Sequence, residues 1–167
     1  DPDTGVFGAL GHGINDVDTA MLMPLHAGSI MPASVVDVKK GANGSPGELH
    51  GSFDLTRDLG SLYANTQLGI YGVLEDDMDG VLGPTPVADR SEITLGEATI
   101  LSNIQGEQVE EYTVNITHIY PNVPGETRNL MVEVTDPRLL ETTGGIVQGM
   151  SGSPILQNGR LVGAVTH

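Results

Sequence analysis

The chain has 167 residues, room for one domain with a sizeable core, and its 22 acidic against 7 basic residues set a net charge of −15. That charge excludes nucleic acid as a partner, because phosphate contacts need a basic face, and it repels anionic membrane surfaces. The absence of cysteine excludes disulfides, thiolate metal sites and a cysteine nucleophile, while 38% hydrophobic residues are too many for an acidic disordered tail.

Aromatic residues are 4% and tryptophan is absent, so the predicted core is built from Val, Ile, Leu, Met and Ala. Glycine, at 23 residues, is about twice its ordinary frequency of roughly 7%, which predicts frequent turns and short strands. The first strand signal is β-branched, at residues 34–38. Residues 39–47, with Gly41, Asn43, Gly44, Ser45 and Pro46, read as an exposed loop. Residues 69–74 read as a strand, followed by an acidic and then Gly/Pro-rich stretch at 75–86. In that stretch Glu75, Asp77, Asp79 and Gly80 imitate the start of a calcium loop. Pro86 falls where the bidentate glutamate would be needed, which favours an acidic turn.

Residues 98–101 read as a further strand. From 112 to 118, Tyr112, Val114, Ile116 and His118 alternate with Thr113, Asn115 and Thr117, the period of a half-buried strand. That pattern predicts His118 as a hydrogen-bonded core histidine. Leu130, Val132 and Val134 repeat the alternation. A short helix is predicted over 136–141, with Asp136 as N-cap, Pro137 at the first helical position and Gly144 as a stop. Asn158-Gly159 between two apolar runs predicts a type I′ hairpin. Strands with short turns throughout and one brief helix indicate an all-β domain, barrel or sandwich.

Residues 149–154, Gly-Met-Ser-Gly-Ser-Pro, carry the clearest chemical signal. A serine nucleophile needs an exposed hydroxyl on a sharply turned backbone whose N–H groups face the developing oxyanion. Glycine permits both the turn and the close approach. Ser151 fits the nucleophile, and the N–H groups of Gly149 and Ser151 fit the oxyanion hole. The competing reading is a Gly/Ser turn entering a strand at Pro154. His12, between Gly11 and Gly13, suits a general base on a tight loop. It could equally be a surface histidine, or join Asp16 and Asp18 in a metal site. Asp136 can cap a helix with one oxygen and hold a histidine Nδ1–H with the other, and Asp16 and Asp18 compete for that role.

Residues 144–167 resemble the peptidase domain of the SpoIVB sporulation family. Residues 9–14 match its histidine segment, and 133–136 with 138–140 match the segment before its serine. Residues 69–72 and the strand at 98–100 also fit, so the resemblance runs over nearly the whole chain. It implies a trypsin-like double β-barrel over 1–167, with the halves meeting near 90–97. It implies a serine endopeptidase in which Ser151 is the nucleophile, His12 the base and Asp136 the orienting acid, with no cofactor. The family's peptidase region continues past the position of His167, so a second barrel truncated at its C-terminal end is expected. The start at Asp1 without Met reads as an excised or processed piece. The resemblance further implies limited signalling proteolysis and self-cleavage in the extracytoplasmic space between mother-cell and forespore membranes. The implied substrate is a regulator of a membrane-embedded protease complex. The alternative is a protease-like β domain that binds peptides or a partner protein without cutting them.

Overall fold

The structure is a computed structural model that describes residues 1, 3–75, 84–121, 123 and 128–166. It is nearly all β, with several antiparallel sheets, consistent with a trypsin-like fold. Among the described residues the strand pairings close no barrel. A four-stranded sheet runs in the order β1 (Val6–Ala9), β6 (Gly69–Leu74), β5 (Gly60–Thr66), β2 (Ser29–Ile30). Between β2 and β5 the chain makes a separate hairpin of β3 (Ala33–Lys39) and β4 (Glu48–Phe53). A five-stranded sheet comes from the second part of the chain. It is built of β7 (Gly96–Gln105), β8 (Gln108–Ile119), β9 (Leu130–Val134), β10 (Pro154–Gln157) and β11 (Arg160–Ala164). Its order is β11-β10-β7-β8-β9, and the short helix α1 (Pro137–Thr142) lies between β9 and β10 in the chain.

The core sits on the five-stranded sheet. Ile100, Val114, Ile116 and Ile155 are buried there, and Leu139 of α1 packs against them with Val147, Met150 and Val165. Each such aliphatic side chain contributes about 1.5–3 kcal/mol by leaving water. The cluster also takes in Val147 and Met150 before the predicted serine and Ile155 after it, so the same burial that stabilises the sheet anchors the chain on either side of Ser151.

The local signals act where the chain places them. Asn158 and Gly159 have φ of 53° and 73°, the left-handed pair that a type I′ turn needs between β10 and β11. Asp136 caps α1, and Pro137 is at its first position. Pro154 opens β10, where its missing N–H costs no ladder bond.

Two expectations are corrected. His118 is exposed and packs on Tyr120, with ring centroids 4.4 Å apart. Ile116 pairs with Val132 but His118 pairs with Met131, so β8 spends two residues against one of β9. That bulge reverses the alternation and turns His118 out of the core. The stretch 39–47 is exposed only in part. Gly47 is buried, and Gly41 N–H donates to Thr143 O at 2.8 Å while Gln148 N–H donates to Gly47 O at 3.0 Å. These bonds tie both ends of the β3–β4 turn to the segment that leads to Ser151. The calcium-loop reading of Glu75, Asp77, Asp79 and Gly80 rests mostly on 76–83, outside the described residues.

Candidate active site

The histidine is delivered by a tight reversal at the end of β1. Leu10 and Gly11 both adopt left-handed backbone, with φ of 69° and 70°. A Cβ on Gly11 would lie 2.5 Å from Thr166 Cγ2, so only glycine lets this turn press against the strand end that follows β11. The serine is delivered from the other side. Thr143, buried at the C-cap of α1, has its hydroxyl 2.8 Å from Leu139 O and 2.6 Å from Gly145 O. Met150 is 1% exposed and anchors the following turn in the core. Gly152 (φ 91°) then brings its backbone against Leu10, whose N would be 3.0 Å from an added Cβ. The two turns therefore touch through backbone.

Their contact brings together residues 139 apart in sequence: His12 Nε2 lies 3.1 Å from Ser151 Oγ. His12 Nδ1 lies 2.9 Å from Gly13 O. A carbonyl only accepts, so that contact places the proton on Nδ1 and leaves the lone pair of a neutral imidazole on Nε2, facing the serine. Ser151 Oγ is also 3.0 Å from Thr166 O. The single hydroxyl proton thus has two acceptors, and only the orientation toward His12 prepares the oxygen for attack.

The backbone of the serine turn is selective in its hydrogen bonds. Met150 N–H donates to Val147 O, Gly152 N–H to Val165 O and Ser153 N–H to Met150 O. Among the described residues, the N–H groups of Gly149 and Ser151 donate to no protein acceptor. These are the two groups expected to face an oxyanion. A cavity of about 640 Å³ opens beside them, with His12, Gln148, Gly149, Ser151 and Thr166 on its wall.

Asp136 is held elsewhere. Its carboxylate accepts from Arg138 N (2.9 Å), Arg138 Nε (3.2 Å) and Arg138 Nη2 (3.1 Å), and from the N–H groups of Leu139 and Thr113. His12 is not among its partners. The Arg138 hydrogen bonds, and then the backbone N–H groups, hold its pKa below the usual carboxylate value against the opposing effect of burial. Arg138 continues to Glu110 and stacks over the Tyr112 ring, 4.9 Å from its centroid. Asp136 therefore fastens α1 to β8. The rival acid Asp16 serves its own exposed turn: Oδ1 accepts from Asp18 N, Thr19 N and Thr19 Oγ1. His12, Asp16 and Asp18 do not converge, and no group of three or more such ligands among the described residues could hold a metal ion.

Several positions at the site gave little or no sequence signal. Thr166 enters through a backbone carbonyl, which any residue would supply. Pro46 reaches the cavity wall only because the β3–β4 turn folds back on the serine segment. Gly13 carries a real but ambiguous signal: it is buried, and a Cβ there would meet Thr66 O at 2.5 Å. In comparisons with known proteins, the family model described as SpoIVB peptidase S55 matches residues 1–167. No curated protein and no solved structure matches the chain.

Proposed function

The chain belongs to the SpoIVB peptidase S55 family, a family of serine peptidases, and on that premise we propose that it is an endopeptidase acting through Ser151 and His12. The observation that carries the reading is the 3.1 Å approach of His12 Nε2 to Ser151 Oγ across two separate turns. Ser151 Oγ attacks a peptide carbonyl as its proton passes to Nε2, and the Gly13 carbonyl steadies the Nδ1–H of the imidazolium that forms. The tetrahedral oxyanion is held by the N–H groups of Gly149 and Ser151. The imidazolium then gives its proton to the leaving amine, the C–N bond breaks and an ester to Ser151 remains. Water, deprotonated by His12, attacks the ester and regenerates the hydroxyl.

In this reading Asp136 is a positioning residue. It holds α1, and so the entry to the serine turn, through Arg138 and Thr113. In the same reading the Gly13 carbonyl, 2.9 Å from His12 Nδ1, takes the orienting place that the resemblance gives to Asp136. The same proposal extends to limited signalling proteolysis, with self-cleavage, in the space between mother-cell and forespore membranes, on a regulator of a membrane-embedded protease complex as natural substrate. The test is incubation of the purified chain with a peptide library and mass spectrometry of library and chain alike. New termini in both are expected, and none with Ser151→Ala. A wild-type chain that binds library peptides and cuts none would favour the binding-module alternative.

A further inference from the structure

The cavity beside Ser151 has a chemical character that the catalytic pair does not explain. Its remaining wall is aliphatic: Leu10, Pro46, Ile146, Val147 and Val165. Val147 and Val165 are 6% and 4% exposed and belong to the core, so this wall is fixed by the packing of the sheet. Although the chain carries −15, no carboxylate lines the cavity among the described residues, and His12 is its one titratable side chain there. The position of the cavity names its occupant. Residues 146–149 lead into the N–H groups of Gly149 and Ser151, which the proposed reaction aims at the scissile carbonyl, so the side chain of the residue bearing that carbonyl would fall against this wall.

We infer that the peptidase cuts after residues with uncharged aliphatic side chains of the size of Val, Leu or Met, with Ile146 and Val147 forming the selective wall. This deepens the reading of Ser151 as nucleophile and rests on it. An aliphatic side chain gains from leaving water in this cavity. An ammonium or guanidinium would be desolvated with no carboxylate, and a carboxylate with no Lys or Arg, among the described residues of the wall. A pocket with nothing to pair a charge discriminates strongly against it, and at least about 100-fold in kcat/KM is expected between Leu and Lys or Glu at this position. The bulk acidity of the chain would by itself favour Lys and Arg, so net charge and cavity lining favour opposite substrates.

The experiment uses fluorogenic peptides identical except for the residue before the scissile bond: Val, Leu, Met, Gln, Lys, Arg, Asp and Glu. In parallel, a fluorophosphonate probe reports Ser151 independently of the peptide side chain. Wild type labelled at Ser151 and preferring Leu, Met or Val by at least about 100-fold supports the inference. Labelling at Ser151 with Lys, Arg, Asp or Glu cut within about fivefold of Leu overturns it and leaves the nucleophile in place. Chain that is neither labelled nor active overturns the nucleophile, and the inference falls with it. Ile146→Asp adds an arm: while probe labelling persists, the Lys-to-Leu ratio in kcat/KM should rise at least about tenfold. An unchanged ratio removes Ile146 from the wall. The wild-type panel decides the inference even if that variant does not fold.

Discussion

Replacing Asp136 by Asn separates a positioning carboxylate from a catalytic one. The side chain is 7% exposed and accepts five hydrogen bonds, three of them from Arg138. Asn keeps the shape and can still cap α1, but it loses the charge and turns an N–H toward donors. Breaking a fully buried ion pair costs about 3–5 kcal/mol. Arg138 is 58% exposed, so water takes up much of its freed charge and the loss falls to about 1–3 kcal/mol. For a chain of this size that is about 3–10 °C in Tm. The loss should also depend on pH with a definite sign. A carboxylate whose folded pKa is depressed contributes stability above its ordinary value of 3.8, and that contribution disappears as pH falls through the folded value. Wild type and Asp136→Asn should therefore differ most above about pH 4 and converge below it. Circular dichroism melts across pH read the stability, and kcat is measured well below either Tm. The variant should keep kcat within about tenfold of wild type. A fall of about 10³–10⁴ in kcat with Tm unchanged would refute this reasoning and restore Asp136 as the acid that orients His12.

Ser151→Ala should lower kcat by about 10⁴–10⁶ with little change in Tm. Ser153→Ala should cost about 1 kcal/mol at most in stability and leave kcat near wild type, because among the described residues its hydroxyl meets only Ser102 Oγ, at 3.2 Å. The same peptide assay reports both, and the reverse order would reassign the nucleophile. Gly152→Ala forces a Cβ to 3.0 Å from Leu10 N at φ 91°, which pushes apart the turns carrying His12 and Ser151. A displacement of a few tenths of an ångström predicts about 10- to 100-fold lower kcat, and full activity would show that the turns have slack. Moderate NaCl should raise Tm, since a chain at −15 repels itself and ions screen beyond roughly 8–10 Å. A flat or falling Tm would show the acidic residues to be already compensated.

How far the sequence could be read depends on whether each signal was local. Asn158-Gly159, the Asp136-Pro137 helix start and the alternation of Tyr112, Val114 and Ile116 are set by neighbours in the chain, and all three appear in the structure. His118 departs because a bulge against β9 is a property of strand pairing, invisible in β8 alone. The first half of the chain was only partly legible. β1 and β5 of the four-stranded sheet and β4 of the separate hairpin are half-exposed, with burial patterns too weak to give an apolar period. At the site, glycines beside His12 and Ser151 marked the two turns, since close backbone approach leaves its trace in the sequence. What those side chains meet left none. The Gly13 carbonyl at Nδ1 is one that any residue would supply, while the Thr166 carbonyl at Ser151 and the joining of Leu10, Pro46, Ile146, Val147 and Val165 into one aliphatic wall arise only when separate segments are packed together.

The central claim, that Ser151 is a nucleophile activated by His12, is tested most directly by the rate of covalent labelling with a fluorophosphonate, followed by peptide mapping. Wild type should carry one adduct, on Ser151, and His12→Ala should label there at least about 10³-fold more slowly while keeping its melt. An adduct on another serine, or equal rates at Ser151 with and without the imidazole, would contradict it.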